Sequence, residues 1–169
     1  EPFLDFDNHS FYNYSDFRKY PLFKSNRQDY EVYNLLMLTV RSTTIGPGHW
    51  VSVCVVRNAL FYYDSLNEDI LPEFQNLINL MIVELKSQYA NVITWRNKEQ
   101  VQFDGKHCGV FQIHFVTVIL ELYASGRLFN CYGDNIVSLN ETELEYYLQN
   151  GLTQEIIEDT VSSYFYINN

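Results

Sequence analysis

A chain of 169 residues can bury a core without help from disulfides or a metal, and its three cysteines, Cys54, Cys108 and Cys131, lack the number and spacing of a disulfide framework or a zinc site. The formal net charge of −10 argues against a broad phosphate-binding surface, so nucleic acid is not an expected partner. No run of eighteen apolar residues occurs, and the sparse cysteines suit a reducing, intracellular setting in cytoplasm or nucleus, away from any membrane.

Residues 1–31 are aromatic and polar without a clear period, and no structure is assigned to them. Tyr33–Val40 is a nearly continuous apolar run that predicts a strand buried on both faces. A polar connection closing in Gly46-Pro47-Gly48 follows, then two strands, Trp50–Val56 and Asn58–Ser65, joined at Arg57-Asn58. Pro72 opens a helix running to about Tyr89, with Leu71, Phe74, Leu77, Ile78, Met81 and Leu85 as its inner stripe. Asn91–Trp95 predicts one more strand. From Cys108 to near Gly126, the spacing of Val110, Phe111, Phe115, Val118, Ile119 and Leu122 predicts a buried helix. Two shorter helices complete the chain, one capped by Asn140 with Glu143 in the capping-box position and one capped by Thr153. The order of elements, strand, hairpin, helix, strand and then helices, is α+β. The chain, which opens on Glu1-Pro2, is read as a single catalytic domain, 1–169, cut or processed from something longer and acting as a monomer without a cofactor.

The chemistry centres on Gln102–Phe111, Q-F-D-G-K-H-C-G-V-F. Cys108 falls in the first turn of its helix, where unpaired backbone N–H groups and the positive dipole end favour a thiolate. Gly105 and Gly109 are expected to let the chain turn sharply and approach a substrate on both sides of the sulfur. A lone cysteine at an apolar helix is more often an inert core residue. The hairpin supplies what such a residue lacks. If Arg57-Asn58 is a two-residue turn, Asp64 lies opposite Val51 and diagonal to His49, and the two share a face about 7–8 Å apart at Cα. A one-residue change of loop length would separate them. His49 can then take the thiol proton while Asp64 fixes its tautomer, and Gln102 with the Cys108 backbone N–H can donate to an oxyanion.

Gly48-His49-Trp50, Tyr62-Tyr63-Asp64-Ser65-Leu66 and Gln102 with Cys108-Gly109-Val110-Phe111 together resemble the ubiquitin-like-protein proteases, the SUMO and NEDD8 proteases whose fold is shared with the adenovirus maturation protease. The likeness spans about residues 33–125. It implies a papain-like core with a central mixed sheet and the nucleophile at the N-terminus of a buried helix, a triad on His49, Asp64 and Cys108, Gln102 in the oxyanion hole, and Trp50 lining a narrow tunnel for a diglycine tail. Three positions depart from the pattern: His107 stands where SUMO proteases usually have Asp, Asp104 where they often have Asn, and Trp95 falls outside the segment of the second clamping tryptophan.

The resemblance implies a cysteine protease or isopeptidase that cuts after glycine, with Gly109 and Trp50 against the substrate. Its partner would be a ubiquitin-like modifier or a polyprotein with a glycine-containing tail or cleavage site. A maturation protease of a virus or mobile element is the second reading, with a YopJ-type acetyltransferase as a rarer variant. A binding module without activity is the third, and it would not need His49, Asp64, Cys108 and Gln102 together. His107, next to the nucleophile, is a second possible base.

Overall fold

The computed structural model describes residues 32–39 and 48–157. The chain divides into two compact units, the first running to Asp64 and resuming over Glu68–Arg96, the second comprising Ser65–Asn67 and the chain from Asn97.

Among the described residues, the first unit is a four-stranded sheet with one long helix. Its strands are β1 (Val32–Thr39), β2 (His49–Val56), β3 (Ala59–Tyr63) and β4 (Ile93–Arg96), ordered β1-β2-β3-β4. The first two pairings are antiparallel and β3–β4 is parallel, so the sheet is mixed. Helix α1 (Pro72–Gln88) supplies the crossover a parallel pair requires. Pro72 starts it because that position needs no N–H, Glu73 and Lys86 sit at the ends their charges favour, and the chain leaves at Tyr89 in extended conformation. Leu77, Ile78, Met81 and Leu85 are buried as the spacing predicted, and they join Leu35, Met37, Val51, Val53, Val55, Leu60 and Tyr62 in one core. Alternation explains the set: odd residues of β2 and even residues of β3 line one face. The hairpin has the predicted register, Val56 opposite Ala59 and Ser52 opposite Tyr63. Arg57 takes the left-handed conformation at φ 52°, while Asn58 anchors the end of the turn, its side chain donating to Asn91 O at 3.0 Å. Asn58 thus belongs to the turn and the strand begins at Ala59.

The second unit is built on α2 (Cys108–Ala124), whose buried side includes Phe111, Phe115, Val118, Ile119 and Leu122. Val110 departs from the expected stripe and is 44% exposed, being one residue off the i, i+4 row that Phe111 and Phe115 define. A hairpin follows that the sequence reading passes over: β5 (Phe129–Tyr132) and β6 (Asn135–Leu139). Gly133 turns it at φ 60°, a conformation costly to any residue with a Cβ. Cys131 lies on β5 and is exposed. Helix α3 (Glu141–Asn150) starts after Asn140, but no capping box forms. The Asn140 amide instead donates to Glu143 Oε2 at 3.0 Å and to Arg127 O at 3.2 Å, and Glu143 also accepts from Arg127. Thr153 does cap the next turn, its hydroxyl accepting from Ile156 N at 3.2 Å. The expectations for residues 1–31 and for the Gly46-Pro47 part of the first loop lie outside the described residues.

Candidate active site

His49 opens β2 directly after Gly48, which has a φ of 116° that only glycine adopts readily. Asp64 is the first residue past β3, one step beyond Tyr63. The β2–β3 ladder ends at Ser52 and Tyr63, and just beyond it the two side chains meet: His49 Nε2 lies 2.5 Å from Asp64 Oδ1. Both are buried, at 6% and 1% exposure, so the bond is shielded from competing water. Asp64 Oδ2 accepts from Glu68 N at 3.0 Å, which fixes the carboxylate plane. With Nε2 turned to Asp64, Nδ1 is the ring nitrogen that can act on another group. A ligand atom of Glu68 also lies within 4.8 Å of ligand atoms of His49 and Asp64, a set that could hold a metal ion. Two ligands on one tetrahedral ion at about 2.0–2.2 Å stand roughly 3.3 Å apart, so the 2.5 Å contact is that of a hydrogen bond.

The second unit carries the thiol. Cys108 is the first residue of α2 and is buried. The N-cap, His107, gives the helix no side-chain cap, because its ring turns back to Asp104, Nδ1 to Oδ2 at 2.6 Å. The two departures from the family pattern are thus bonded to each other. Asp104 Oδ1 accepts from Lys106 N at 2.9 Å and His107 N at 3.1 Å. Burial pushes the Asp104 carboxyl up, but the hydrogen bonds from His107, the Lys106 amide and Gln154 outweigh it and hold the group well below the usual carboxylate range. Gln102 is fully buried. Its Oε1 accepts from Ser65 Oγ at 2.6 Å, and its Nε2 donates to Asp104 O at 2.8 Å and to Asp104 Oδ1 at 3.3 Å. Ser65 O in turn accepts from the backbone N–H groups of Val101 and Gln102, each at 3.0 Å. Ser65, part of the Tyr62–Leu66 motif but given no role there, thus holds both the side chain and the backbone of Gln102. Its place directly after Asp64 was the available signal.

Trp50 is half-buried on β2 and, by alternation, on the opposite face from His49. Gly109 lies inside the first turn of α2; a Cβ there or at Gly105 would meet no atom within 4 Å. Neither glycine has a positive φ, so open space, not a sharp turn, is what they provide. Trp95 is buried in β4 against Phe61, ring centroids 5.9 Å apart, and serves the core. Cys54 is fully buried mid-strand, and burial pushes its thiol far up. All three cysteines are free thiols, Cys131 being the exposed one.

No family model matches the chain. A protein of Acanthamoeba polyphaga mimivirus named as a thiol protease, R355, is 35% identical over 96 residues, 54% of this chain and 29% of that protein. Among solved structures, the chain resembles the protease pS273R of African swine fever virus with a TM-score of 0.50 and 15% identity, over 70% of this chain and 43% of that one. The Ulp1-like SUMO protease catalytic domain of Chaetomium thermophilum aligns more loosely, at a TM-score of 0.38 and 21% identity over 78% of this chain and 48% of that one. The chain thus has the α+β fold of a viral protease structure and spans less than half the length of the two viral proteins it matches. Among the described residues no helix is long and apolar enough to cross a membrane.

Proposed function

We propose that the protein is a cysteine peptidase in which Cys108 is the nucleophile, His49 its base and Asp64 the residue that orients and charges the base. The observation that carries this reading is the buried 2.5 Å pairing of His49 with Asp64, which leaves Nδ1 as the working nitrogen. A histidine held this way has a fixed tautomer and a counter-charge for its protonated form. In the proposed reaction Cys108 transfers its proton to His49, the thiolate attacks the scissile carbonyl, and His49 returns the proton to the leaving amine. Water then hydrolyses the thioester, with His49 again accepting a proton. The Cys108 backbone N–H and Gln102 are the proposed donors to the oxyanion. Gln102 can serve only if a substrate draws its Nε2 from Asp104, to which both hydrogen bonds now run.

The scissile bond is proposed to follow glycine in a slot too narrow for side chains, as the resemblance at Gly48-His49-Trp50 implies, with Gly109 leaving open backbone beside the sulfur. A ubiquitin-like modifier with a Gly-Gly tail fits that slot. A specific observation favours a second substrate: the mimivirus and African swine fever virus relatives are viral proteases by name, which supports maturation of a viral precursor. Free thiols support a reducing, intracellular place of action. The experiment compares folded modifier fusions with isolated glycine-containing peptides, at low and high salt, with Cys108→Ala as the blank. Efficient cleavage of folded fusions alone supports the modifier, since the extra binding energy then comes from a remote surface. A chain of net charge −10 should prefer a basic modifier face, with the preference fading as salt rises. Equal cleavage of short peptides supports the precursor. Tolerance of alanine before the scissile bond would remove the slot, and equal turnover by Cys108→Ala would remove the mechanism.

A further inference from the structure

Five donors from four residues converge on one carboxylate in the loop that leads to Cys108. Asp104 Oδ1 takes Lys106 N, His107 N and Gln102 Nε2 at 2.9, 3.1 and 3.3 Å. Its Oδ2 takes His107 Nδ1 at 2.6 Å and Gln154 Nε2 at 2.5 Å. Gln154 comes from the helical turn after α3, some fifty residues on, and its Oε1 also accepts from Phe103 N at 3.1 Å. One amide therefore clamps two successive residues of the nucleophile loop. Only an ionised carboxylate suits the centre, because every neighbour presents a hydrogen and an amide would turn its own N–H groups toward two of them.

We propose that Asp104 and Gln154 are positioning residues for the reaction at Cys108: together they set the plane of the Gln102 amide and the approach of the chain to the first turn of α2. This rests on the peptidase reading of Cys108. A loop of this length has no regular ladder to hold it, so side-chain bonds decide where its backbone points. Asp104 reaches the oxyanion donor through Gln102 and the helix start through Lys106 and His107, while Gln154 ties both to a distant part of the unit.

The test uses the full chain and labels thiols with iodoacetamide, taking exposed Cys131 as the internal reference for Cys108, alongside the melting temperature. Asp104→Asn is expected to lower the Cys108 to Cys131 labelling ratio about tenfold and Gln154→Ala about threefold, with kcat falling in parallel and KM little changed. The double variant Asp104→Asn with His107→Asp restores one donor facing one acceptor and is expected to recover part of the ratio. A structural role alone would shift the melting temperature and leave the ratio where it was. Unchanged labelling in Gln154→Ala, whose side chain is only part-buried, overturns the proposal even if Asp104→Asn fails to fold. So does a double variant that folds and stays as slow as the single one. Labelling needs no substrate, so a chain with this dependence that cleaves no glycine-containing substrate would sink the peptidase reading and leave the positioning role standing.

Discussion

The two halves of the proposed chemistry are held by different physics. His49 and Asp64 belong to the sheet unit, where backbone ladders and a packed face dictate which residues are neighbours. Cys108 and Gln102 belong to the other unit, where a loop is held by hydrogen bonds to Ser65, Asp104 and Gln154. A register is all-or-none: one slipped residue moves every side chain to the other face. A hydrogen-bonded loop is graded, because each bond contributes separately. Substitutions at the sheet pair should therefore abolish function, whereas those around the loop should diminish it by steps.

The sharpest way to break this comparison is to set the two histidines side by side. His49→Ala should lower turnover by about 10⁴-fold or more, as loss of a triad base does. His107→Ala should cost at most about tenfold, since it removes one of the five bonds to Asp104 and no proton carrier. If His107→Ala were the inactive variant, the base would lie in the loop unit and the comparison would fail. Asp64→Asn should fall next, by about 10³–10⁴, because the amide can hold the wrong tautomer and cannot balance an imidazolium. Steady-state rates at neutral pH with matched circular dichroism decide both.

Gln102→Ala probes the loop half and should reduce kcat by about 10²–10³, the usual cost of one oxyanion donor. Because Gln102 is fully buried and bonded to Ser65 and Asp104, its melting temperature should drop as well. A lower melting temperature with an unchanged rate would make Gln102 a strut and no donor.

How far the sequence could be read follows the same division. The meeting of His49 with Asp64 was legible because a two-residue turn at Arg57-Asn58 reduces pairing to arithmetic, and the observed register obeys it. The stripe of α1 was legible from its period. The loop was not. Nothing in Gln102-Phe103-Asp104 announces that Gln154 closes on it, since a side-chain hydrogen bond across fifty residues leaves no period. The β5–β6 hairpin escaped because bulged pairing at Asn130-Cys131 blurs the alternation, although Gly133-Asp134 between two short runs was a usable turn signal. The Asn140 capping box failed because Arg127 competes for Glu143, a partner thirteen residues before Asn140.

Within the loop unit, packing can be tested apart from chemistry. A Cβ on Gly151, at the end of α3, would lie 2.6 Å from Tyr147 O and 2.8 Å from His114 Nε2. The first contact is backbone and cannot swing away, so Gly151→Ala should destabilise by about 1–3 kcal/mol in thermal unfolding. An unaltered melting temperature would mean that α3 shifts freely.

The same contact leads to the smallest effect, a pH dependence of stability that belongs to the loop unit alone. His114 sits in α2 with its Nδ1 buried and without a hydrogen-bond partner among the described residues. Burial lowers its pKa from 6.5, and the charge of Glu121 only partly offsets that. The folded chain thus holds His114 neutral where the unfolded chain already binds a proton. Stability then rises with pH wherever the unfolded state carries the extra proton. Above 6.5 both states are neutral and the contribution is fully present; as pH falls below 6.5 it drains away until the folded group protonates too. Asp104 does not interfere, since its carboxyl is held well below the usual range and its contribution is lost only in stronger acid. Melting temperatures of wild type and His114→Gln at pH 7.5 and 5.5 test this, because the other histidines titrate equally in both proteins and cancel in the difference. The wild type should lose more stability between the two pH values than the variant does. An identical loss would mean that the His114 ring is hydrated in solution, and a larger loss in the variant would mean that Glu121 stabilises the imidazolium more than burial opposes it.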